Sequence, residues 1–330
     1  MGHYCESLAD AFMQAGYEVI FCSIGPARLG SRNLHVPARW RTSRDRVNML
    51  LQYAVMFFRL IREKRGTFIV LNVSQEYIFP FFLRRTVNVI HDAIQIFYPR
   101  NSKIKWMLTF NWMLARRSAL NIADSQATAD DIRQFGIRAR VIHVFFNESG
   151  YLARGAAERP IVEFAAVWCG TGAVHKNLGL YLELCRLHPR DRFAAVLNRS
   201  YVREFEEQNK LPPNLQTFSA ITSMQYMDLI LSSGMLISTS LKEGYGMPPM
   251  EAALLGVPIL LSDIPVYREL YGGVAEFFDL NLASLDAEFG KLKGIAVSHP
   301  VSPERLARLR NAQGHTRQFV DAIAPLFVDQ

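Results

Sequence analysis

Two glutamates that lie eight residues apart flank a glycine-containing loop. Glu243 precedes Gly244 and Gly246, and Glu251 follows two prolines that suit the first turn of a helix. Glycines let backbone N–H groups approach an anion closely, and a helix N-terminus adds further N–H donors. A carboxylate beside such a loop can accept two hydrogen bonds from a vicinal diol, such as a ribose or a sugar ring. The pattern therefore predicts a site for an anion and a diol; a capped helix with surface glutamates is the simpler alternative.

Two further side chains that could bind or react follow predicted strands. Lys176 comes after the strand at 162–168 and a loop with two glycines, where a lysine can meet a phosphate as a point charge. His91 comes directly after the strand at 87–90. Each has an ordinary alternative, because a lone lysine is commonly a solvated surface residue and a lone histidine at a strand end is commonly structural.

The elements that must position these residues alternate along the chain as short apolar segments and amphipathic segments, which is typical of parallel α/β units. In the first half, strands are predicted at 18–23, 68–73, 87–90, 120–123 and 141–144, and helices at 5–15, 50–62, 104–118 and 128–135. In the second half, strands are predicted at 162–168, 193–197, 216–218, 235–238 and 258–261, and helices at 178–187, 202–208, 224–232, 249–255 and from residue 303 onward.

The polar segment 147–160 interrupts this alternation and coincides with a change in charge. We therefore predict two doubly wound domains, 1–152 and 153–330, that face a cleft, with a C-terminal helix returning to the first domain. Ligands of such sheets bind outside the carboxyl ends of the strands.

The composition excludes several classes of protein. With 330 residues, 50% of them hydrophobic, the chain is long and apolar enough to fold as about two globular domains. Its four cysteines show neither a CxxC pair nor metal-ligand spacing, which indicates thiols in a reducing compartment. Neither a secretory signal nor an apolar run of about 20 residues is visible, so a cytoplasmic protein is expected.

The charge is asymmetric. Residues 1–150 carry 20 Lys and Arg against 11 Asp and Glu, a net charge of +9, whereas 151–330 carry 17 against 19, a net charge of −2. The segment 28–65 holds ten basic and two acidic residues, and Trp106, Phe110 and Trp112 lie among further basic residues. Basic residues with aromatics suit an anionic membrane surface or a lipid diphosphate acceptor, although core aromatics beside a solvated basic face explain the pattern equally well. No nucleic-acid-binding motif appears.

The stretch 236–269 resembles the signature of retaining GT-B glycosyltransferases of family 4, which include bacterial mannosyltransferases. The pattern EGxGxPxxEAxxxGxPxxxSDxPxxRE is matched in register by Glu243, Gly244, Gly246, Pro248, Glu251, Ala252, Gly256, Pro258, Ser262, Asp263, Pro265, Arg268 and Glu269. The resemblance implies a GT-B fold, in which two Rossmann-like domains face a cleft. It is strong over about 160–280 and weak over 1–150.

The resemblance also implies roles for individual residues. Glu251 would bind the ribose of the donor nucleotide, Glu243 would act beside the donor sugar, and Lys176 would bind the donor diphosphate. His91 would lie in the cleft near donor sugar and acceptor, and the segment 218–227 would face the base. The backbone of four loop residues would lie near sugar and phosphate: Gly244, Tyr245, Gly246 and Met247.

The sequence departs from the family in two places. Many members have Arg where this chain has Thr171, which the resemblance still places among the donor-binding residues. Others have Arg where this chain has His175, so Arg199 is considered as a substitute for the missing positive charge at the diphosphate. At the N-terminus the first strand of the family is missing, and the chain begins at what resembles the end of the glycine-rich loop. Gly2 would stand where that loop cradles diphosphate or acceptor.

The expected function is transfer of a sugar, with retention, from a nucleotide-diphosphate sugar to a glycan or lipid-linked acceptor in cell-surface polysaccharide synthesis. GDP-mannose is the suggested donor. No cofactor and no obligatory metal are expected, since no Asp-x-Asp metal motif is present. A nucleotide-sugar epimerase and a phosphorylase are alternatives within the fold, although no pyridoxal-phosphate lysine site is seen. A non-catalytic relative that acts as a binding or regulatory protein is the alternative from another class.

Overall fold

The computed structural model describes residues 2–17, 19–23, 32–35, 70–72, 86–99, 102–145, 148–157, 160–207, 211–293, 302–311, 313 and 315–327. The helix predicted at 50–62 and most of the basic segment 28–65 lie outside the described residues.

The first domain contains a parallel sheet in the order β3-β4-β5-β6 and a separate parallel pair, β1 and β2. The strands are β1 Ile20–Ser23, β2 Arg32–His35, β3 Val70–Asn72, β4 Thr86–Ile90, β5 Leu120–Ala123 and β6 Arg140–Val141; the helices are α1 Gly2–Gln14, α2 Ile94–Phe97, α3 Ser102–Ala115 and α4 Gln126–Arg133. Every residue of β4 is buried, as expected for a central strand that is covered on both faces. Its polar Asn88 is satisfied by the amide oxygen of Asn121 at 2.9 Å.

The second domain contains a six-stranded parallel sheet in the order β9-β8-β7-β10-β11-β12. Its elements are α5 Ser149–Ala156, β7 Ala166–Cys169, a 3-10 turn at Val174–Lys176, α6 Leu178–Leu187, β8 Phe193–Val196, α7 Arg199–Glu207, β9 Leu215–Phe218, α8 Ser223–Leu231, β10 Leu236–Ser238, α9 Met247–Leu254, β11 Ile259–Ser262, α10 Pro265–Tyr271, β12 Glu276–Phe278 and α11 Leu282–Leu292. Strands β8 and β9 lie on one side of β7 in the sheet, whereas β10, β11 and β12 lie on its other side, so the chain changes its direction of progress across the sheet between β7 and β10. Loops leaving these two strands at their carboxyl ends therefore border the crevice where doubly wound sheets bind ligands.

Two C-terminal helices, α12 Pro303–Asn311 and α13 Thr316–Ile323, follow the second sheet. Leu309 of α12 packs into the core of the second domain. Phe319 and Ile323 of α13 instead pack in one cluster with Leu8 and Phe12 of α1. Helix α13 is thereby part of the hydrophobic core of the first domain.

The alternation of parallel strands and helices predicted from the sequence is confirmed, whereas several local predictions are wrong. No strand is predicted between 23 and 68, yet residues 32–35 form β2, because backbone pairing with β1 needs no apolar alternation in the side chains. The polar interruption at 147–160 contains α5, in which Tyr151 and Leu152 pack against the core of the second domain. Among the described residues, no helix has both the length and the apolar character needed to cross a bilayer.

Candidate active site at the topological switch point

The loops that leave β7 and β10 meet in an ion pair. The ammonium Nζ of Lys176 lies 2.5 Å from Oε1 of Glu243, and the two side chains are 17% and 7% exposed. The backbone of the Lys176 loop is tied to the other loop, because the hydroxyl of Thr239 donates within 3.0 Å of the Lys176 carbonyl oxygen. The structure therefore brings together two residues that the sequence proposed separately.

Two hydroxyl groups also contact the carboxylate of Glu243. Ser240 Oγ donates to Oε1 at 2.6 Å, and the hydroxyl of Tyr267 lies 3.4 Å from the same oxygen. The Tyr267 hydroxyl is itself 2.7 Å from Ser238 Oγ at the end of β10. This network fixes the carboxylate, so its orientation is set before any ligand arrives.

The loop from Gly244 to Gly246 leads directly into α9. Gly246 has φ = +81°, and a Cβ there would lie 2.6 Å from the ring of Tyr267, so only glycine fits. Tyr271 donates to the Gly246 carbonyl oxygen at 2.6 Å, and Tyr245 is buried. Met247, the first residue of α9, is exposed at the helix N-terminus. The arrangement is the glycine loop and helix start that the sequence predicted for an anion.

Glu251, on the same helix, is bound by two tyrosine hydroxyls. Tyr226 Oη donates to Oε2 at 2.6 Å, and Tyr151 Oη donates to Oε1 at 3.1 Å. Burial raises the pKa of Glu251, and the two hydrogen bonds oppose that shift. Neither tyrosine was identified from the sequence, because they lie on α8 and α5, outside the signature stretch.

His91 lies at the carboxyl end of β4, across from the glycine loop. Its Nδ1 is 2.6 Å from Oδ2 of the buried Asp124. Burial lowers the pKa of His91, but the charge and hydrogen bond of Asp124, with Asp92, outweigh burial and leave it raised. A Cβ on Gly244 would lie 1.8 Å from the His91 carbonyl oxygen. The structure therefore places His91 in direct contact with the loop that carries Glu243.

Other predicted residues lie at or beyond the edge of this cluster. Thr171 is exposed in the loop after β7. The next residue, Gly172, lies so close to Tyr201 that a Cβ at Gly172 would be 2.7 Å from the Tyr201 ring. Arg199 is exposed at the start of α7, two residues before Tyr201, and so lies near the Thr171 loop. Gly2 is the first residue of α1.

The two domains also contact each other beside the site. The carboxylate of Glu269, on α10, accepts from the backbone N–H groups of Gln126 and Ala127 at 2.7 and 2.9 Å, at the start of α4. His143 Nε2 lies 3.1 Å from the same carboxylate. Lys242 pairs with Asp131 at 2.7 Å. The sequence marked Glu269 only as part of the signature and did not indicate this contact.

No group of three or more His, Cys, Asp or Glu side chains that could hold a metal ion occurs within the described ranges. The polar groups that lie at the crevice include the Lys176 ammonium, the carboxylates of Glu243 and Glu251, the His91 imidazole with its Asp124 partner, and several hydroxyls. Such a set can bind a charged ligand that carries several hydroxyl groups.

The first part of the chain is similar to a known protein family. Residues 1–147 match Glycosyltransferase Family 4. The O-antigen chain mannosyltransferase RfbU of Salmonella typhimurium (strain LT2) is 23% identical over 204 residues, which cover 57% of this chain and 55% of RfbU. The match therefore spans about half the length of that relative.

Solved structures share the fold over nearly the whole chain. Sucrose-phosphate synthase from Thermosynechococcus elongatus superposes with a TM-score of 0.76 at 12% identity, covering 99% of this chain and 94% of that one. Anabaena Alr3699/HepE, solved with UDP and glucose, superposes with a TM-score of 0.68 at 14% identity, covering 100% and 96%. The fold is that of GT-B glycosyltransferases. The family match over 1–147 and the mannosyltransferase relative are consistent with the resemblance to family 4, although that match does not include the signature stretch 236–269.

Proposed function

We propose that this chain transfers a sugar from a nucleotide-diphosphate sugar to an acceptor hydroxyl. The premise is that the chain has the GT-B fold and that its residues 1–147 match Glycosyltransferase Family 4. The bond between the anomeric carbon and the diphosphate oxygen breaks, a bond to the acceptor oxygen forms with retention of configuration, and the hydroxyl proton is released together with the nucleoside diphosphate. No carboxylate is assigned as a covalent nucleophile, and neither a metal nor a cofactor is part of the proposal.

The observation that carries this proposal is the meeting of Lys176 and Glu243 at the switch point, beside the start of α9. Negative charge develops on the diphosphate as the glycosidic bond breaks. Fixed positive groups in a shielded site stabilise that charge, and the Lys176 ammonium and the backbone N–H groups at the start of α9 supply them. Glu243 then faces the sugar and Glu251 the ribose, while His91 approaches sugar and acceptor from the first domain.

Mannose is the sugar we propose, and GDP-mannose the donor. RfbU is named as a mannosyltransferase, which supports the sugar at low identity, whereas HepE was solved with UDP, so the base needs a direct test. The acceptor in this proposal is a glycan or a lipid-linked glycan of the cell surface.

We propose that the protein binds its acceptor at an anionic membrane surface, on the cytoplasmic face. On α3, Trp106, Phe110 and Met113 are 72%, 50% and 55% exposed along one face, and the first two rings stack with centroids 5.9 Å apart. Lys105 and Arg117 are exposed on the same helix and just after it, which complements an anionic lipid surface. Trp112 does not belong to this surface, because it is buried against Phe135.

The experiment is turnover of GDP-mannose, UDP-glucose and UDP-N-acetylglucosamine with a crude lipid acceptor, detected as released nucleoside diphosphate. We expect release from one donor. Lys176→Ala should lower kcat about 10²- to 10³-fold, as loss of one charge-stabilising group does elsewhere. Glu251→Gln should raise the KM for the donor about tenfold, since a charged hydrogen-bond acceptor is lost.

Two surface variants control for changes of stability. Lys291→Ala and Glu304→Gln alter exposed charges on α11 and α12 and should leave turnover unchanged. If wild type neither turns over nor binds any of the three donors, the non-catalytic alternative is favoured and the catalytic proposal is wrong.

A further inference from the structure

The carboxylate of Glu251 is held by tyrosine hydroxyls on both oxygens. Tyr226 binds Oε2 at 2.6 Å and Tyr151 binds Oε1 at 3.1 Å. A carboxylate oxygen has about two lone-pair positions, so each oxygen retains one acceptor position beyond its tyrosine. Two remaining acceptor positions on adjacent oxygens match the two hydroxyls of a vicinal diol.

The two tyrosines reach Glu251 from different elements, which are themselves fixed to each other. Tyr226 is on α8 and Tyr151 is on α5, and Arg154 of α5 donates to Asp228 of α8 at 2.7 Å. Helix α5 also packs so closely on the end of α9 that a Cβ at Gly155 would lie 3.1 Å from the Leu255 carbonyl oxygen. The carboxylate is therefore restrained from two sides by a rigid frame.

Among the residues that the structure describes, the titratable groups that face Glu251 are neutral at physiological pH. Besides Tyr151 and Tyr226 they are Cys169 of β7 and Tyr271 of α10. Burial raises the pKa of Cys169 to about 12, and burial raises the pKa of Tyr226 and Tyr271 well above the usual value. Ionisation of Glu251 thus depends on hydroxyl donors rather than on a cation, and without them burial alone would favour the protonated acid.

We propose that Tyr151 and Tyr226 are positioning residues that aim the Glu251 carboxylate at the ribose diol of the donor nucleotide and keep it an acceptor. This inference rests on the proposed function, in which Glu251 binds that ribose. The tyrosines themselves do not touch the reacting atoms; they act through Glu251.

The test compares UDP and GDP with their 2′,3′-dideoxy forms, which lack the diol, by calorimetric binding to wild type, Tyr226→Phe and Tyr151→Phe. For the nucleotide that binds wild type, each variant should lose about tenfold in affinity, because an aimed, charge-assisted contact is weakened. Affinity for the dideoxy form should not change. In Tyr226→Phe, nucleotide affinity should also begin to fall at a higher pH on acidification than in wild type, since loss of the hydroxyl leaves burial to raise the pKa of Glu251 further.

Tyr181→Phe is the matched control, because it removes a buried hydroxyl that donates to the carbonyl oxygens of Ala166 and Ala194, away from Glu251. It should lower the melting temperature without altering the preference for the diol. Equal losses for ribose and dideoxy nucleotides, or no loss for either, would overturn the positioning role while the proposed function stands. Failure of wild type to bind UDP and GDP would overturn both.

Discussion

At Gly244 the loop after β10 lies so close to the main chain of His91 that no side chain fits between them. A Cβ at this position would lie 1.8 Å from the His91 carbonyl oxygen and 2.9 Å from Cβ of Asp92. Gly244→Ala should therefore push the loop away from the first domain. We expect turnover to fall about 10²-fold, which is the typical cost of misplacing a site by about 1 Å.

Gly179→Ala is the matched control at the residue scale. Gly179 lies in α6, and a Cβ there meets nothing within 4 Å. This change should stabilise the helix by about 0.5–1 kcal/mol and leave turnover unaltered. Turnover and melting temperature measured together on both variants check the prediction. Unchanged turnover in Gly244→Ala would show that the close approach to His91 is not needed for catalysis.

At the scale of the element, the exposed face of α3 is predicted to bind lipid. Replacing Trp106 and Phe110 together by Ser removes a stacked pair of exposed aromatics. We expect binding to vesicles that contain phosphatidylglycerol to fall about tenfold or more, because burial of each large apolar side chain contributes about 1.5–3 kcal/mol. Vesicle co-sedimentation measures this, and binding should also weaken as salt is added.

Ile161→Ser is the control for the helix face, because Ile161 is exposed in the second domain, away from α3. It should bind vesicles as wild type does. Vesicles of phosphatidylcholine alone should bind wild type weakly, since they lack the anionic charge. Equal binding of the Trp106 and Phe110 double variant and wild type to anionic vesicles would exclude this face as the membrane contact.

At the scale of the whole molecule, Glu269 joins the two domains by accepting two backbone N–H groups at the start of α4. Glu269→Gln turns one carboxylate oxygen into an amide donor that faces an N–H group. We expect a loss of about 2 kcal/mol in the free energy of unfolding, and a lower melting temperature. Thermal unfolding, with Glu276→Gln on the exposed edge strand β12 as control, measures the loss.

The pH dependence of this contact has a definite sign. Burial would raise the pKa of Glu269, but His143 and the two backbone N–H groups outweigh burial and lower it. A lowered pKa in the folded state stabilises the protein above the ordinary glutamate pKa of about 4.3, and this contribution is lost as the pH falls through the folded value. The difference in melting temperature between wild type and Glu269→Gln should be largest at neutral pH and should decrease below about pH 4. A difference that stays constant down to acid pH would contradict it.

The sequence determined the features that depend on neighbouring residues. The alternation of strands and helices follows from local apolar patterns, and the glycine loop before α9 follows from Gly246 and the prolines after it. The cap of α4 is local as well, because the hydroxyl of Ser125, which directly precedes the helix, accepts from the Thr128 N–H group. Strand β2 and helix α5 were missed, because backbone pairing and packing on a distant core produce them.

Only the tertiary structure decided which residues meet. The pairing of Lys176 with Glu243 joins positions 67 residues apart, and Tyr151 reaches Glu251 across 100 residues. Glu269 reaches the start of α4 across 143. Spacing in the chain carries no information on such contacts, because the order of strands in the sheet and the packing of the domains set these distances. The sequence therefore indicated candidate groups for the site, and the fold decided their partners and their orientation.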